Sequence, residues 1–231
     1  MAIGTAPTVR DIYQLKITLS DVKPLIWRRV LVPGDVTLAQ LHAIVQTVIG
    51  WEDYHLHEFH IAGLTIGAPD PDAPCTLIDE KKVRLLDVLG KVGAKGVYTY
   101  DFGDGWEHSI VVEKILTPEP GVAYPICAAG KRRGPPEDSG GPFGYENFLE
   151  APGNPRHEEH EAMQEWIGGD FDPEAFSVDD VNRRLAPSGR LKGTAQQIRD
   201  RPKMLRGADG DQSPDRPLQM SEQPPTMSFL R

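Results

Sequence analysis

Between Ile12 and Leu19 apolar and polar side chains alternate, with Tyr13, Leu15, Ile17 and Leu19 on one face and Gln14, Lys16 and Thr18 on the other. That is the period of a strand with one buried face. Residues 25–32 read as a second strand, joined to the first by a turn at Asp21-Val22-Lys23-Pro24. At Leu38 the period changes. Leu38, Leu41, Ile44, Val45, Val48 and Ile49 recur at helical spacing behind a Thr37/Gln40 capping box, and Gly50 ends the run. His55, His57, Phe59 and Ile61 then share one face of a further strand. Residues 83–89 predict a short helix, and residues 96–102 and 106–116 predict a hairpin about Gly103-Asp104-Gly105. Beyond Gly121 the pattern turns to Pro/Gly loops followed by short helices. One is expected from Asn154-Pro155 to Gly168-Gly169, another behind Ser177 and Asp180 through Leu185. The elements sum to an α+β fold: a mainly antiparallel sheet with one early helix and a cluster of short helices at the C-terminal end. A doubly wound nucleotide fold is disfavoured.

Composition narrows the class. At 231 residues, 39% hydrophobic and 26% charged, the chain supports a real core, and 21 Pro with 23 Gly predict many turns. Residues 187–231 hold only one aromatic, Phe229, and cannot build a core. The expected division is therefore a folded domain over 1–186 and a disordered tail over 187–231. The tail carries 8 basic and 5 acidic residues, so of the net charge of −9 it contributes +3 and the remainder −12. An acidic domain lacks the basic face that grips phosphates, so direct nucleic-acid binding is not expected. Two cysteines, Cys75 and Cys127, are too few for a disulfide framework, and residues 1–10 lack a basic flank leading into an apolar stretch. No run reaches the ~18 apolar residues of a membrane helix. A cytoplasmic setting with no membrane association is the expectation.

The candidate chemistry gathers around the hairpin. Asp101, Asp104 and His108 surround its turn, His55 and His57 lie on a neighbouring strand, and Glu137-Asp138 follow in a later loop. Carboxylates and imidazoles brought together can bind a divalent metal, and one-face strand spacing lets two histidines reach one ion. Each also has a structural reading. Asp104-Gly105 suits a turn, Asp101 can accept backbone N–H groups, and a half-buried histidine beside Trp106 can be hydrogen-bonded within the fold. Trp51, Trp106, Glu137 and Asp138 are the candidate binding residues. Aromatics line ligand pockets, although they equally fill the inner face of a sheet. In Pro135-Pro136-Glu137-Asp138-Ser139-Gly140-Gly141, prolines and glycines hold two carboxylates in one shape; Asp138 equally can cap the glycine N–H groups.

Other candidates fall away. His157-x-x-His160 lacks the i, i+4 spacing of a zinc protease helix, and Asp70-x-Asp72 lacks the glycine of a calcium loop. Cys127, a lone thiol, reads as a packing residue. The basic clusters, Arg28, Arg29, Lys131, Arg132 and Arg133, face 13 acidic residues and one basic residue over 137–180. Phosphate-loop, nucleophile-elbow and dinucleotide signatures are absent from the sequence.

Several motifs then occur in order: Lys23-Pro-Leu-Ile-Trp-Arg-Arg29; Gly50-Trp51 followed by His55-Leu-His57-x-Phe59; Tyr100-Asp-Phe-Gly-Asp-x-Trp-x-His108; Cys127-x-x-Gly130; and Pro135-Pro-Glu-Asp-x-Gly-Gly141 with Gly144-Tyr145. Together, over roughly residues 10–185, the chain resembles the plasmid pRiA4b ORF-three-like family. The resemblance implies an α+β domain of plasmid-borne reading frames and insertion-sequence passengers, some labelled resolvase-like, and no established reaction. It also implies further cysteines in relatives where this chain has Gly134 and Ser139, which leaves Cys127 alone and disfavours a thiolate zinc site. The functional expectation is a non-catalytic binding or interaction module of mobile-element ancestry, with a protein as its macromolecular partner and no cofactor. The alternative is a metal-dependent hydrolase of nuclease type. There His55, His108 and one carboxylate among Asp101, Asp104, Glu137 and Asp138 hold the ion, with His57 beside them and a second carboxylate activating water. A resolvase reading lacks both a recognition helix and an arginine-surrounded serine.

Overall fold

The computed structural model describes residues 11–69, 77–153, 165 and 171–186. Cys75, Asp70, Asp72, His157 and His160 lie outside the described residues, as do the helix expected from Asn154 to Gly169, except Glu165, and the tail expected over 187–231. In chain order the elements are β1 (Ile12–Leu19), β2 (Trp27–Pro33), α1 (Leu38–Ile49), β3 (His57–Ile61), β4 (Leu64–Gly67), β5 (Ile78–Asp79), α2 (Leu85–Val88), β6 (Lys95–Tyr100), β7 (Trp106–Leu116), β8 (Ile126–Lys131), α3 (Gly141–Gly153) and α4 (Val178–Leu185). The eight strands form one sheet in the order β5-β4-β3-β6-β7-β1-β2-β8, antiparallel at every pairing except β4 with β5. The fold is α+β with the antiparallel sheet dominant. Among the described residues no helix is long and apolar enough to cross a membrane.

Helix α1 forms where the periodicity predicts it. Gln40 N–H donates to Thr37 Oγ1 at 3.2 Å, Thr37 N–H donates to Gln40 Oε1 at 2.9 Å, and Gly50 closes the helix at φ 107°. Its stripe of Leu38, Leu41, Val45 and Val48 is wholly buried against one face of the sheet, each side chain contributing about 1.5–3 kcal/mol on burial. The sheet register aligns the residues beneath it in rows: Phe59, Tyr98, His108 and Leu19 in one, His57, Tyr100 and Trp106 in the next. Arg28, on the same side of β2 and 1% exposed, donates to the carbonyls of Val48 at 2.6 Å and of Trp27 and Lys131 at 2.9 Å. The guanidinium thus satisfies a carbonyl near the C-terminus of α1 while binding β2 to the end of β8.

Three local expectations change. Residues 126–131 form an edge strand rather than a loop. With Ile126 its one β-branched residue and no aromatic, β8 is recruited by the free edge of β2. β4 is a four-residue strand with no alternation long enough to read. Finally, α3 occupies 141–153, ahead of the helix expected from Asn154, with Pro142 in its first turn.

Candidate functional site

Among the described residues, histidines and carboxylates meet in two separate places. The first lies between α1 and the sheet. His42 and Gln46 extend from α1 to the Tyr98 hydroxyl on β6: Gln46 Nε2 donates to it at 2.9 Å, and His42 Nδ1 lies 2.8 Å away. With Gln46 as donor, the tyrosine proton goes to His42 Nδ1. That assigns the imidazole proton to Nε2, which donates to Asp53 Oδ1 at 2.9 Å. Asp53 N–H returns to Gln46 Oε1 at 3.0 Å, closing the ring of bonds. His57, at the start of β3, stacks on His42 with centroids 3.5 Å apart and planes 5° from parallel, and its Nε2 meets Glu80 Oε2 at 2.8 Å. Burial and the neighbouring His57 lower the pKa of His42 against the pull of Asp53, in keeping with a neutral ring. None of His42, Gln46, Asp53 and Glu80 was a sequence candidate. For His42 and Gln46 the signal was present: they sit four and eight residues after Leu38, on the buried face of α1.

The second place is the end of the sheet where three loops converge. His55 comes from residues 50–56, Asp101 from the residue after β6, and Asp138 from the loop before α3. His55 Nε2 lies 2.9 Å from Asp138 Oδ1 and 3.6 Å from Asp101 Oδ2. Asp101 Oδ2 is beyond hydrogen-bond distance and Asp138 Oδ1 is off the line of an N–H, so Nε2 has no hydrogen-bond partner although it is sealed from solvent. Asp101, at φ 54°, accepts at Oδ1 from Gly103 N at 2.9 Å and Asp104 N at 3.3 Å, while its own N–H donates to Leu56 O at 2.9 Å. The hairpin tip is thereby built as a side-chain-locked turn that also holds the His55 segment. Asp104 Oδ2 accepts from Gly140 N at 3.0 Å and ties the tip to the proline loop. Gly141, at φ 70°, lies so close to the Asp104 carbonyl that a Cβ would collide with it.

The same loop is anchored from below. Trp51 Nε1 donates to Pro135 O at 2.9 Å, and Glu137 accepts from the Tyr100 hydroxyl at 3.1 Å and from Glu52 N at 2.9 Å. Tyr100 in turn accepts from Tyr54 N at 2.9 Å, and burial with the Glu137 charge holds its pKa above the ordinary tyrosine value.

The candidate residues therefore part company. His55, Asp101 and Asp138 come together. His57, expected to join His55 on one strand face, belongs to the other cluster because β3 begins at His57 and His55 precedes it in the loop. Asp104 and Glu137 hold the loops to one another through the bonds just described. His108 is completely buried. Burial pushes its pKa down to about 4, Nδ1 lies 3.4 Å from Tyr98 O, and its ring stands edge-on to Trp51. Trp51 and Trp106, the candidate binding aromatics, are 6% and 1% exposed, their rings packed on Tyr100, His108 and Tyr145. Cys127 is buried, its thiol pushed up to about 11 by burial, and Asn182 brackets its backbone N–H and C=O at 2.7 and 2.9 Å. The basic residues are dispersed likewise: Arg29 pairs with Glu113 at 2.6 Å, Arg132 with Glu174 at 3.0 Å, and Arg133 lies over the Phe171 ring.

Around the three loops, apolar side chains stand in water. Tyr54 and Leu56 flank His55, Phe102 follows Asp101, and Phe143 follows the proline loop, at 66%, 70%, 53% and 75% exposure. No composition or periodicity signal marked them.

Among known proteins, residues 11–180 match the family model described as plasmid pRiA4b ORF-3-like protein. The chain is 41% identical over 179 residues to the uncharacterized protein y4hQ of Sinorhizobium fredii (strain NBRC 101917 / NGR234), covering 77% of this chain and 92% of that one. It is also similar to the crystal structure of MM3350, a protein of unknown function from Methanosarcina mazei Go1, at 44% identity and a TM-score of 0.69, over 75% of this chain and 98% of that one. Motifs, fold and matches agree: the chain belongs to the plasmid pRiA4b ORF-3-like family.

Proposed function

We propose that the chain is a binding module that engages a protein partner through the end of the sheet built by residues 50–56, 101–105 and 135–144. The observation that carries this reading is the placement of Tyr54, Leu56 and Phe102 on the loops that converge there and of Phe143 in the first turn of α3 beside them, four large exposed apolar side chains. Apolar side chains gathered around polar groups are the usual composition of an interaction surface. The loops are also fixed in advance by Asp101, Asp104, Glu137 and the Trp51 indole, which lowers the ordering cost of binding. The acidic loops and the internally engaged Arg28, Arg29 and Arg132 support a partner other than nucleic acid. In affinity capture with the full chain, Phe143→Ser with Leu56→Ser abolishes retention of the partner, whereas Val92→Ser, at an exposed position away from these loops, leaves it intact. Equal retention by all three refutes the reading.

The meeting of His55, Asp101 and Asp138 favours a second reading, metal-dependent hydrolysis at the same loops, with Asp138 or Glu137 activating water. Turnover of nucleic acid or peptide substrates that appears only with added divalent metal and vanishes in His55→Ala supports it; no turnover with any metal rejects it.

A further inference from the structure

We propose that His55, Asp101 and Asp138 form an open binding site for a divalent metal ion of the Zn²⁺ or Mn²⁺ class. This deepens the binding-module reading by naming an ion at the centre of its surface. The separations carry the argument. Two donor atoms each about 2.1 Å from one ion, at 90–120° to each other, lie about 3.0–3.6 Å apart. The observed separations from His55 Nε2 are 2.9 and 3.6 Å, and all three ligand atoms lie within 4.8 Å of one another.

An imidazolium held by the same carboxylates would aim its N–H along one of those vectors. Here it does not: at 2.9 Å from Asp138 the nitrogen makes no hydrogen bond, so that carboxylate stands beside the Nε2 axis rather than on it, and Asp101 at 3.6 Å is too far to bond. Three ligand atoms thus lie within reach of one ion, with Nε2 bonded to neither carboxylate. Asp101 is preset for this role, because Gly103 and Asp104 N–H groups occupy Oδ1 and leave Oδ2 as the atom nearest His55. One nitrogen and two carboxylate oxygens suit Zn²⁺ or Mn²⁺ and not a thiolate-seeking ion. The Asp138 side chain is 65% exposed, so the site opens outward and the remaining coordination positions go to water or to an oxygen ligand from the partner.

The inner cluster makes the contrast. Each of its Nε2 atoms has a hydrogen-bonded carboxylate, and two imidazoles lying flat on one another at 3.5 Å cannot both aim their in-plane lone pairs at one ion.

The test is calorimetric titration of chelator-treated full-length chain with Zn²⁺ and, separately, Mn²⁺. About one equivalent binds, and His55→Ala and Asp138→Asn each weaken binding by about tenfold or more, whereas His60→Ala, an exposed histidine on β3, leaves it unchanged. Asp138 is largely exposed, so Asp138→Asn keeps the circular dichroism spectrum of the wild type. Absence of stoichiometric binding of both metals to the wild type overturns the proposal, as does binding undiminished in both variants. No partner enters the titration, so its failure leaves the apolar surface to be judged by capture, and a failed capture leaves the titration result standing.

Discussion

The two imidazole–carboxylate clusters use the same residue types to opposite ends. In the inner one, His42, Gln46, Tyr98 and Asp53 pass hydrogen bonds around a closed ring, with His57 and Glu80 stacked alongside. In the outer one, His55 sits within ion-pair distance of Asp101 and Asp138 and bonds to neither. Between α1 and the sheet an unpartnered polar group is costly, and each member of that ring has its partner, although His108 Nε2 nearby is buried without one. At the loop end, where water reaches Asp138, the fold tolerates groups held near one another without completing their bonds. Satisfied polar clusters hold a fold together; unsatisfied ones held in place are where a ligand can be taken up.

The contrast can be broken by stability measurements. Tyr98→Phe strips an acceptor from Gln46 and a donor from His42 in a buried setting, and urea unfolding should register a loss of about 3 kcal/mol. Acid is the second lever. The unfolded chain protonates a histidine near pH 6.5, whereas folded His108 stays neutral down to about 4. Stability is therefore full above pH 6.5 and falls as pH drops from there towards 4, by up to about 3 kcal/mol from His108 alone; lowered His42 acts in the same direction. The slope of unfolding free energy against pH should flatten in His108→Leu and persist in His55→Ala. An unchanged slope in His108→Leu places the acid sensitivity elsewhere.

Smaller effects belong to the loops. Gly141→Ala puts a Cβ against the Asp104 carbonyl at positive φ; a thermal midpoint lowered by the equivalent of about 1–2 kcal/mol, together with lost metal uptake, is the expected pair of readouts. Smallest is His55→Ala, within about 0.5 kcal/mol of the wild type, since its Nε2 makes no hydrogen bond to lose. A loss as large as that of Tyr98→Phe would make the outer cluster a structural one and remove the contrast.

Much of the scaffold could be read from the chain. The alternation in β1, the capped apolar stripe of α1 and the turn-joined pair β6 and β7 are local patterns, and each element forms where its pattern predicts. β8 could not be read this way, because its strand character comes from pairing with β2. The site was legible only in its inventory: His55, Asp101 and Asp138 stood among the candidates, but so did His57, Asp104 and His108, and nothing along the chain separates them. His42 was passed over because a histidine within an apolar helical stripe resembles any core residue until Tyr98 and Asp53 are placed beside it.

By itself the amino-acid order determined the α+β class, the family motifs and the capped helix, since those depend on neighbours a few residues apart. Which imidazole became structural and which was left open at the loop end depended on groups tens of residues distant: Gly140 bound to Asp104, and Glu137 to Tyr100 and Glu52. Only the assembly of the sheet and its loops brings those groups within bonding range, and a hydrogen bond or a coordination shell exists only within that range.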